Sequence, residues 1–269
     1  MNTKHGAGEP TWHTFEGLSD VSDLAHGVFT RHGGVSKPPY DSLNVARNNG
    51  DSQEAVRENL SRVKAALGLD RLVSCRQVHG DTVRIIDEEA IEQSGDYSPV
   101  IAAPPGDALV TNLRGVGLLI KIADCQAVFL VDPVHGVIAN IHCGWRGTVK
   151  GLAAKVVRTL VERFNSRPAD LIATISPSLG PCCAEFRSYR DELPPAFWPF
   201  QAKPSYFDFW AISESQLLGA GLLAQNIEIA HRCTVCESRD FFSYRGEGTT
   251  GRLAAVIAWR QSPGQVQGK

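Results

Sequence analysis

Apolar residues recur along this chain in two different periods. Val56, Leu60, Val63 and Leu67 fall three or four apart behind Asp51 as a cap and Glu54 three residues on, which predicts a helix over 51–67. A stronger stripe, Val149, Leu152, Ala153, Val156, Val157, Leu160, Val161 and Phe164, predicts a second. A third is expected to start at Ser213, whose partner Gln216 completes a capping-box pattern before Leu217, Leu218, Leu222 and Leu223. Between these lie short apolar runs of strand length: Val83–Ile86, Ala108–Thr111, Val116–Ile122, Ala127–Val131, Val137–Ile141, Leu171–Ile175 and Leu253–Trp259. Several follow one another with no helix between them. That order points to an α+β fold, a single layered domain with mixed β-sheets packed against helices, and not to a doubly wound parallel sheet.

Composition narrows this picture. A chain of 269 residues with 43% hydrophobic and 21% charged residues has enough apolar surface for one large domain. No stretch reads as a linker, since Pro104-Pro105-Gly106 is a turn. We expect an N-terminal extension over 1–18, a catalytic domain over 19–260 and a flexible tail over 261–269. With 27 basic and 29 acidic residues dispersed along the chain, neither nucleic acid nor an anionic membrane is the expected partner, and a monomer is expected. The most apolar stretch, Gly117 to Asp132, is broken by Lys121, Asp124 and Gln126, too early for a membrane span. The first thirty residues lack the apolar run of a signal peptide, so the seven cysteines are expected as reduced thiols in the cytoplasm, with no structural disulfide.

Polar residues inside apolar runs carry the chemistry, because burying them requires a partner. Three interruptions stand out: Gln77-Val78-His79-Gly80, Ala123-Asp124-Cys125-Gln126, and Ile141-His142-Cys143-Gly144-Trp145-Arg146-Gly147. Two imidazoles and a thiolate, His79, His142 and Cys125, make a borderline-soft donor set suited to zinc, with copper as the other ion it accepts. A buried cysteine and two hydrogen-bonded core histidines is the plain alternative on residue type alone.

These strings, together with Thr30-Arg31-His32-Gly33-Gly34-Val35-Ser36, Asp107-Ala108-Leu109-Val110-Thr111, Gly180-Pro181-Cys182-Cys183 and Phe242-Ser243-Tyr244-Arg245, occur in one order. Over roughly residues 20 to 260 the chain resembles the YfiH-type family, whose members are labelled laccase-domain, multicopper polyphenol oxidase-like or purine nucleoside phosphorylase proteins. The resemblance implies a metal held by His79, Cys125 and His142. It also implies phosphorolysis of adenosine, inosine and methylthioadenosine, with some deamination of adenosine. Purine nucleosides and phosphate are then the partners. Cys143, Ala184 and Gly246 depart from the family pattern without removing a ligand.

For phosphate, Arg146 is the leading candidate, near the start of the helix whose stripe begins at Val149; the alternative is pairing with Asp124 or Glu185. Arg31 and Arg245 are further candidates, and Asn44 resembles a family pocket residue, its alternative being a turn side chain bonded to its own backbone. Cys182-Cys183 and Cys233-x-x-Cys236 are a weak signal for a second metal, because adjacent cysteines rarely share an ion and a single CxxC is common. Two other chemistries remain open. A copper polyphenol oxidase is opposed by the lack of any His-x-His among eight histidines, and a cysteine hydrolase built on Cys125 and His142 leaves His79 without a role. The H-x-E and P-C-x-x-C signature of zinc deaminases is absent.

Overall fold

The computed structural model describes residues 1–4, 10–93 and 99–261; most of the expected tail lies outside the described residues. Two mixed sheets stack face to face. The seven-stranded sheet runs in the order Asn2–Lys4, Trp12–Thr14, Leu24–Phe29, Leu253–Trp259, Val116–Ile122, Arg71–Cys75, Val100–Ala103. The six-stranded sheet runs Ile227–Ile229, Ile172–Ile175, Gln126–Asp132, Val137–Cys143, Ala108–Thr111, Val83–Ile85. Both contain parallel and antiparallel pairs.

Sheets covered on both faces require strands that are apolar at every position, which is why these runs read as continuous and not alternating. In Gln126–Asp132, Ala127, Phe129 and Val131 enter the core between the two sheets, while Val128 and Leu130 enter the core beneath the helix Leu152–Phe164. Val56, Leu60 and Val63 of the helix Gln53–Ala66 cover the outer face of the other sheet against Leu72, Leu119 and Val256. The result is helix, sheet, sheet, helix. Asn140 pins the two sheets together from the inter-sheet face, donating to the carbonyls of Leu118 and Ala255 at 2.9 Å each.

The expected bounds of Ala108–Thr111, Val116–Ile122 and Leu253–Trp259 coincide with the observed strands. Other expectations need correction. Ser52, not Asp51, caps the first helix, its Oγ accepting from Ala55 N at 3.3 Å; Asp51 instead accepts from Ser36 Oγ at 2.6 Å and Asn44 Nδ2 at 2.8 Å. The long stripe is two helices, Trp145–Val149 and Leu152–Phe164, separated where Gly151 adopts φ 70°. The third helix spans Phe209–Gly219 and starts at Asp208, which accepts from Ala211 N at 3.0 Å. Ser213 lies within it, buried, and donates to Gln126 Oε1 at 2.5 Å. Residues 12–18 supply a strand and two core side chains, Phe15 and Leu18. Leu24–Phe29 and Arg71–Cys75 were not legible as strands, the first because His26 and Gly27 interrupt its apolar pattern.

Candidate metal centre and its cavity

Strand register assembles the centre. Ile138, Asn140 and His142 share one face of their strand, the face toward the other sheet, because side chains alternate along a strand. His142 pairs across to Ala127 and Cys143 to Gln126, so Cys125, one residue before that neighbouring strand, arrives beside Gly144. On the other flank Ile141 pairs with Ala108, and His142 N donates to Asp107 O at 2.7 Å. Asp107, Cys125 and His142 therefore meet at one end of three adjacent strands.

His79 joins from the loop before Val83–Ile85. The buried Asp107 carboxylate draws that loop in, accepting from Val78 N at 3.2 Å, His79 N at 2.9 Å and Gly80 N at 2.8 Å. The same carboxylate accepts from Nδ1 of His142 at 2.9 Å, which leaves Nε2 of His142 to face the sulfur. Two residues here hold left-handed backbone conformations, His79 at φ 56° and Asp124 at φ 86°, a geometry that a non-glycine residue keeps only where its surroundings hold it. Asp124 accepts from Thr234 Oγ1 at 2.7 Å, Ser243 Oγ at 2.6 Å and Arg245 N at 2.6 Å. Gly144 lies directly beneath the trio: a Cβ there would sit 3.0 Å from His79 Cδ2 and 3.1 Å from Cys125 Sγ.

The ligand atoms of His79, Cys125 and His142 all lie within 4.8 Å of one another. Zn–N of 2.0–2.1 Å and Zn–S of 2.3 Å at tetrahedral angles give edges of about 3.3 to 3.6 Å, so a small contraction closes this trio around one ion. The electrostatics suit a thiolate. Burial pushes the Cys125 thiol up, but His142 and hydrogen bonds from both histidines outweigh it and bring it down to about 6. Burial likewise pushes His142 down, and Cys125 and Asp107 outweigh it to hold the imidazole at about 9. By contrast, burial drives Cys143 up to about 12 and Cys75 up to about 11, which marks them as inert core thiols.

The trio lines a cavity of about 900 Å³. Its wall carries six basic side chains, Arg47, Arg76, Lys121, Arg146, Arg245 and Arg252, against one acidic side chain, Asp124. Four aromatic rings, Trp145, Phe186, Phe209 and Tyr244, complete it. Arg146 does not pair with Asp124 or Glu185: its guanidinium lies over the Trp145 ring at 4.5 Å, exposed, with no ion pair among the described residues. It also sits within the short helix Trp145–Val149 and not at the start of the long one, which Gly151 begins. Arg245 lines the cavity with Nη1 donating to the carbonyls of Cys183 and Glu185.

The other two candidates are placed elsewhere. Arg31 lines a separate small pocket, bonded to Glu247 Oε1 at 2.8 Å and to the carbonyls of Asp41 and Ser238, its guanidinium over the Phe242 ring. Asn44 is fully buried, its Oδ1 accepting from Ala46 N and Arg252 N, so it shapes the loop whose residues Val45 to Asn49 line the cavity without lining it itself. Sequence reading missed Arg47, Arg76, Lys121 and Arg252. Lys121 carried a signal, a cation inside an apolar strand; it donates to Ser74 Oγ at 2.6 Å, and burial lowers it to about 8. Arg76, exposed and without an ion pair among the described residues, carried none.

Comparison with known proteins identifies the family of the chain. Residues 25–260 match the family model described as multi-copper polyphenol oxidoreductase laccase. The chain is 36% identical over 258 residues to purine nucleoside phosphorylase YlmD of Geobacillus stearothermophilus, covering 91% of this chain and 93% of that protein. It is 32% identical over 259 residues to purine nucleoside phosphorylase YfiH of Shigella flexneri, covering 92% and 96%. The crystal structure of the Geobacillus YlmD superposes with a TM-score of 0.84 at 32% identity, covering 96% of this chain and 99% of that one. That of the hypothetical protein YfiH from Bacillus licheniformis superposes with a TM-score of 0.82 at 27% identity over 96% and 99%. With the ordered motifs, the two stacked sheets and the matched span all in agreement, the chain belongs to the YfiH-type, laccase-domain family.

Proposed function

We propose that this protein is a metal-dependent purine nucleoside phosphorylase acting on adenosine, inosine and methylthioadenosine. The observation that carries the reading is the cavity wall, six cations against one carboxylate with four aromatic rings, opening onto the His79, Cys125 and His142 trio. Such a wall attracts a polyanion and offers flat surfaces to a purine.

In phosphorolysis a phosphate oxygen forms a bond to C1′ of the ribose as the C1′–N9 bond breaks; the purine leaves with the bonding pair and takes up a proton. Positioning and electrostatics carry most of such a displacement. Arg146 and Arg76, both exposed in the cavity wall and uncommitted to any ion pair among the described residues, supply positive charge for phosphate. Trp145, Phe186 and Tyr244 supply ring faces for the base. His79, Cys125 and His142 would hold zinc, or copper, which supplies Lewis acidity toward the bound nucleoside. Asp107 orients His142 through Nδ1, as buried carboxylates do for ligating histidines.

Deamination of adenosine belongs to the same proposal as a secondary activity, and both are separated by one experiment. Adenosine is incubated with the metal-loaded protein with and without phosphate, and every product is identified. Adenine and ribose 1-phosphate appearing with phosphate alone supports phosphorolysis; inosine in both arms supports deamination; neither product refutes the reading. A second reading has one observation in its favour: Asp107, His142 and Cys125 form a relay of the kind that activates a thiol nucleophile. Metal-free protein that hydrolyses amides and loses that activity when Cys125 is alkylated would establish it.

A further inference from the structure

Four cysteines outside the centre already described converge from two loops. Cys182 and Cys183 follow Gly180-Pro181, Cys233 and Cys236 lie about fifty residues later, and their Sγ atoms all lie within 4.8 Å of one another. We propose that Cys182, Cys183, Cys233 and Cys236 bind one zinc ion as a structural tetrathiolate that clamps loop 179–185 to loop 232–237 beside the cavity.

The spacing selects the ion class. Cys236 Sγ is 3.5 Å from Cys182 Sγ and 3.6 Å from Cys183 Sγ. Four sulfurs at 2.3 Å from a tetrahedral zinc are separated by about 3.8 Å, so these contacts already stand near the required edge. An iron–sulfur cluster distributes its thiolates over two or more irons and needs them spread wider. The backbone of one loop also meets a sulfur of the other, Gly180 N donating to Cys233 Sγ at 3.4 Å.

Both loops are prebuilt around the cluster. Ser178 N donates to Arg232 O at 3.1 Å and Thr234 N to Ser178 O at 3.0 Å, which lays the two loops side by side. Ala184 N closes on Gly180 O, and Glu237 N closes on Cys233 O, each at 2.9 Å. Adjacent cysteines are thus able to serve one ion because the turn at 180–184 presents both sulfurs to the facing loop. The clamp reaches the cavity through two bonds: Thr234 Oγ1 holds Asp124, the neighbour of Cys125, and the Cys183 carbonyl accepts from Arg245 Nη1.

The test measures metal content of reduced protein purified from medium holding both zinc and iron. Wild type should carry about two zinc per chain, Cys125→Ser about one, Cys236→Ser about one, and the double variant close to none. Cobalt replacing zinc reads the ligands directly: in Cys125→Ser the near-ultraviolet sulfur-to-cobalt band should be about fourfold that of Cys236→Ser, four thiolates against one. Should Cys236→Ser fail to fold, the stoichiometry and band of Cys125→Ser decide alone. Metal-free Cys125→Ser, iron in place of zinc, or a mass deficit showing disulfides among the four cysteines overturns the proposal. Wild type with one zinc that Cys125→Ser keeps and Cys236→Ser loses supports this site and refutes the His79, Cys125 and His142 centre instead.

Discussion

Asp107→Asn is the sharpest perturbation of the centre, because it conserves volume and removes one charge from a fully buried side chain. Oδ1 accepts from His79 N and His142 Nδ1, each at 2.9 Å, while Oδ2 accepts from Gly80 N at 2.8 Å. An asparagine that keeps its carbonyl at the Oδ1 position sets an NH2 against the Gly80 N–H, donor facing donor. One hydrogen bond to a charged acceptor is lost, about 1.5 to 3 kcal/mol, and the remaining bonds fall from charge-assisted to neutral. His142 also loses the anion that raises its basicity. Removing such an outer partner weakens metal binding by roughly 10- to 100-fold, about 1.4 to 2.8 kcal/mol. Zinc affinity is measured by competition with a chromophoric chelator, and urea unfolding of the metal-free protein runs in parallel. Urea stability that falls by about 2 kcal/mol while zinc affinity stays within about twofold of wild type would refute the reasoning, since Asp107 would then hold the loop without tuning the ligand.

Other perturbations test separate parts. Arg146→Ala should weaken apparent phosphate affinity by roughly tenfold to hundredfold and leave nucleoside affinity nearly unchanged, with Arg146→Lys recovering part; equal losses for both substrates with a lower melting temperature would make Arg146 structural. Cys125→Ala should remove about one zinc per chain without unfolding the domain, checked by metal analysis and circular dichroism. Gly144→Ala should lose metal as well, because its Cβ meets His79 Cδ2 at 3.0 Å and Cys125 Sγ at 3.1 Å; full retention would show that the loop yields. His26 is buried with Nε2 accepting from Phe15 N, and burial lowers it to about 4 from 6.5. The unfolded chain therefore binds the proton first, so the stability His26 contributes is complete above about pH 6.5 and is lost as pH falls toward 4, about 3 kcal/mol in all. Urea titrations from pH 7 to 4 should lose that part of their slope in His26→Gln.

Much of the centre was legible in the chain because His142 interrupts an apolar strand from within, and Cys125 and His79 stand in polar strings just ahead of apolar runs. The interior strands were legible for the same reason: sheets covered on both faces demand uninterrupted apolar runs, which local sequence displays. Helix ends were less so. Asp51 and Ser213 each matched a capping pattern, but Asp51 found better donors in Ser36 and Asn44, and Ser213 turned inward to Gln126, choices made by residues distant in sequence. Arg31 lay in a string shared with the family and Asn44 resembled a family pocket residue, yet either side chain is equally suited to a ligand or to a neighbouring protein group: Arg31 pairs with Glu247, and Asn44 Oδ1 accepts from Arg252 N. Strand register alone brought Asp107, Cys125 and His142 to one edge. The four cysteines show the limit most plainly. Sequence spacing separates their two pairs widely, and only the loop pairing of Ser178 with Arg232 and Thr234 folds them together. Periodicity and the polar breaks in apolar runs are properties of neighbours in the chain, and the sequence determined them; which capping candidate is used and which distant groups share a site are set by pairing and packing that no local pattern encodes.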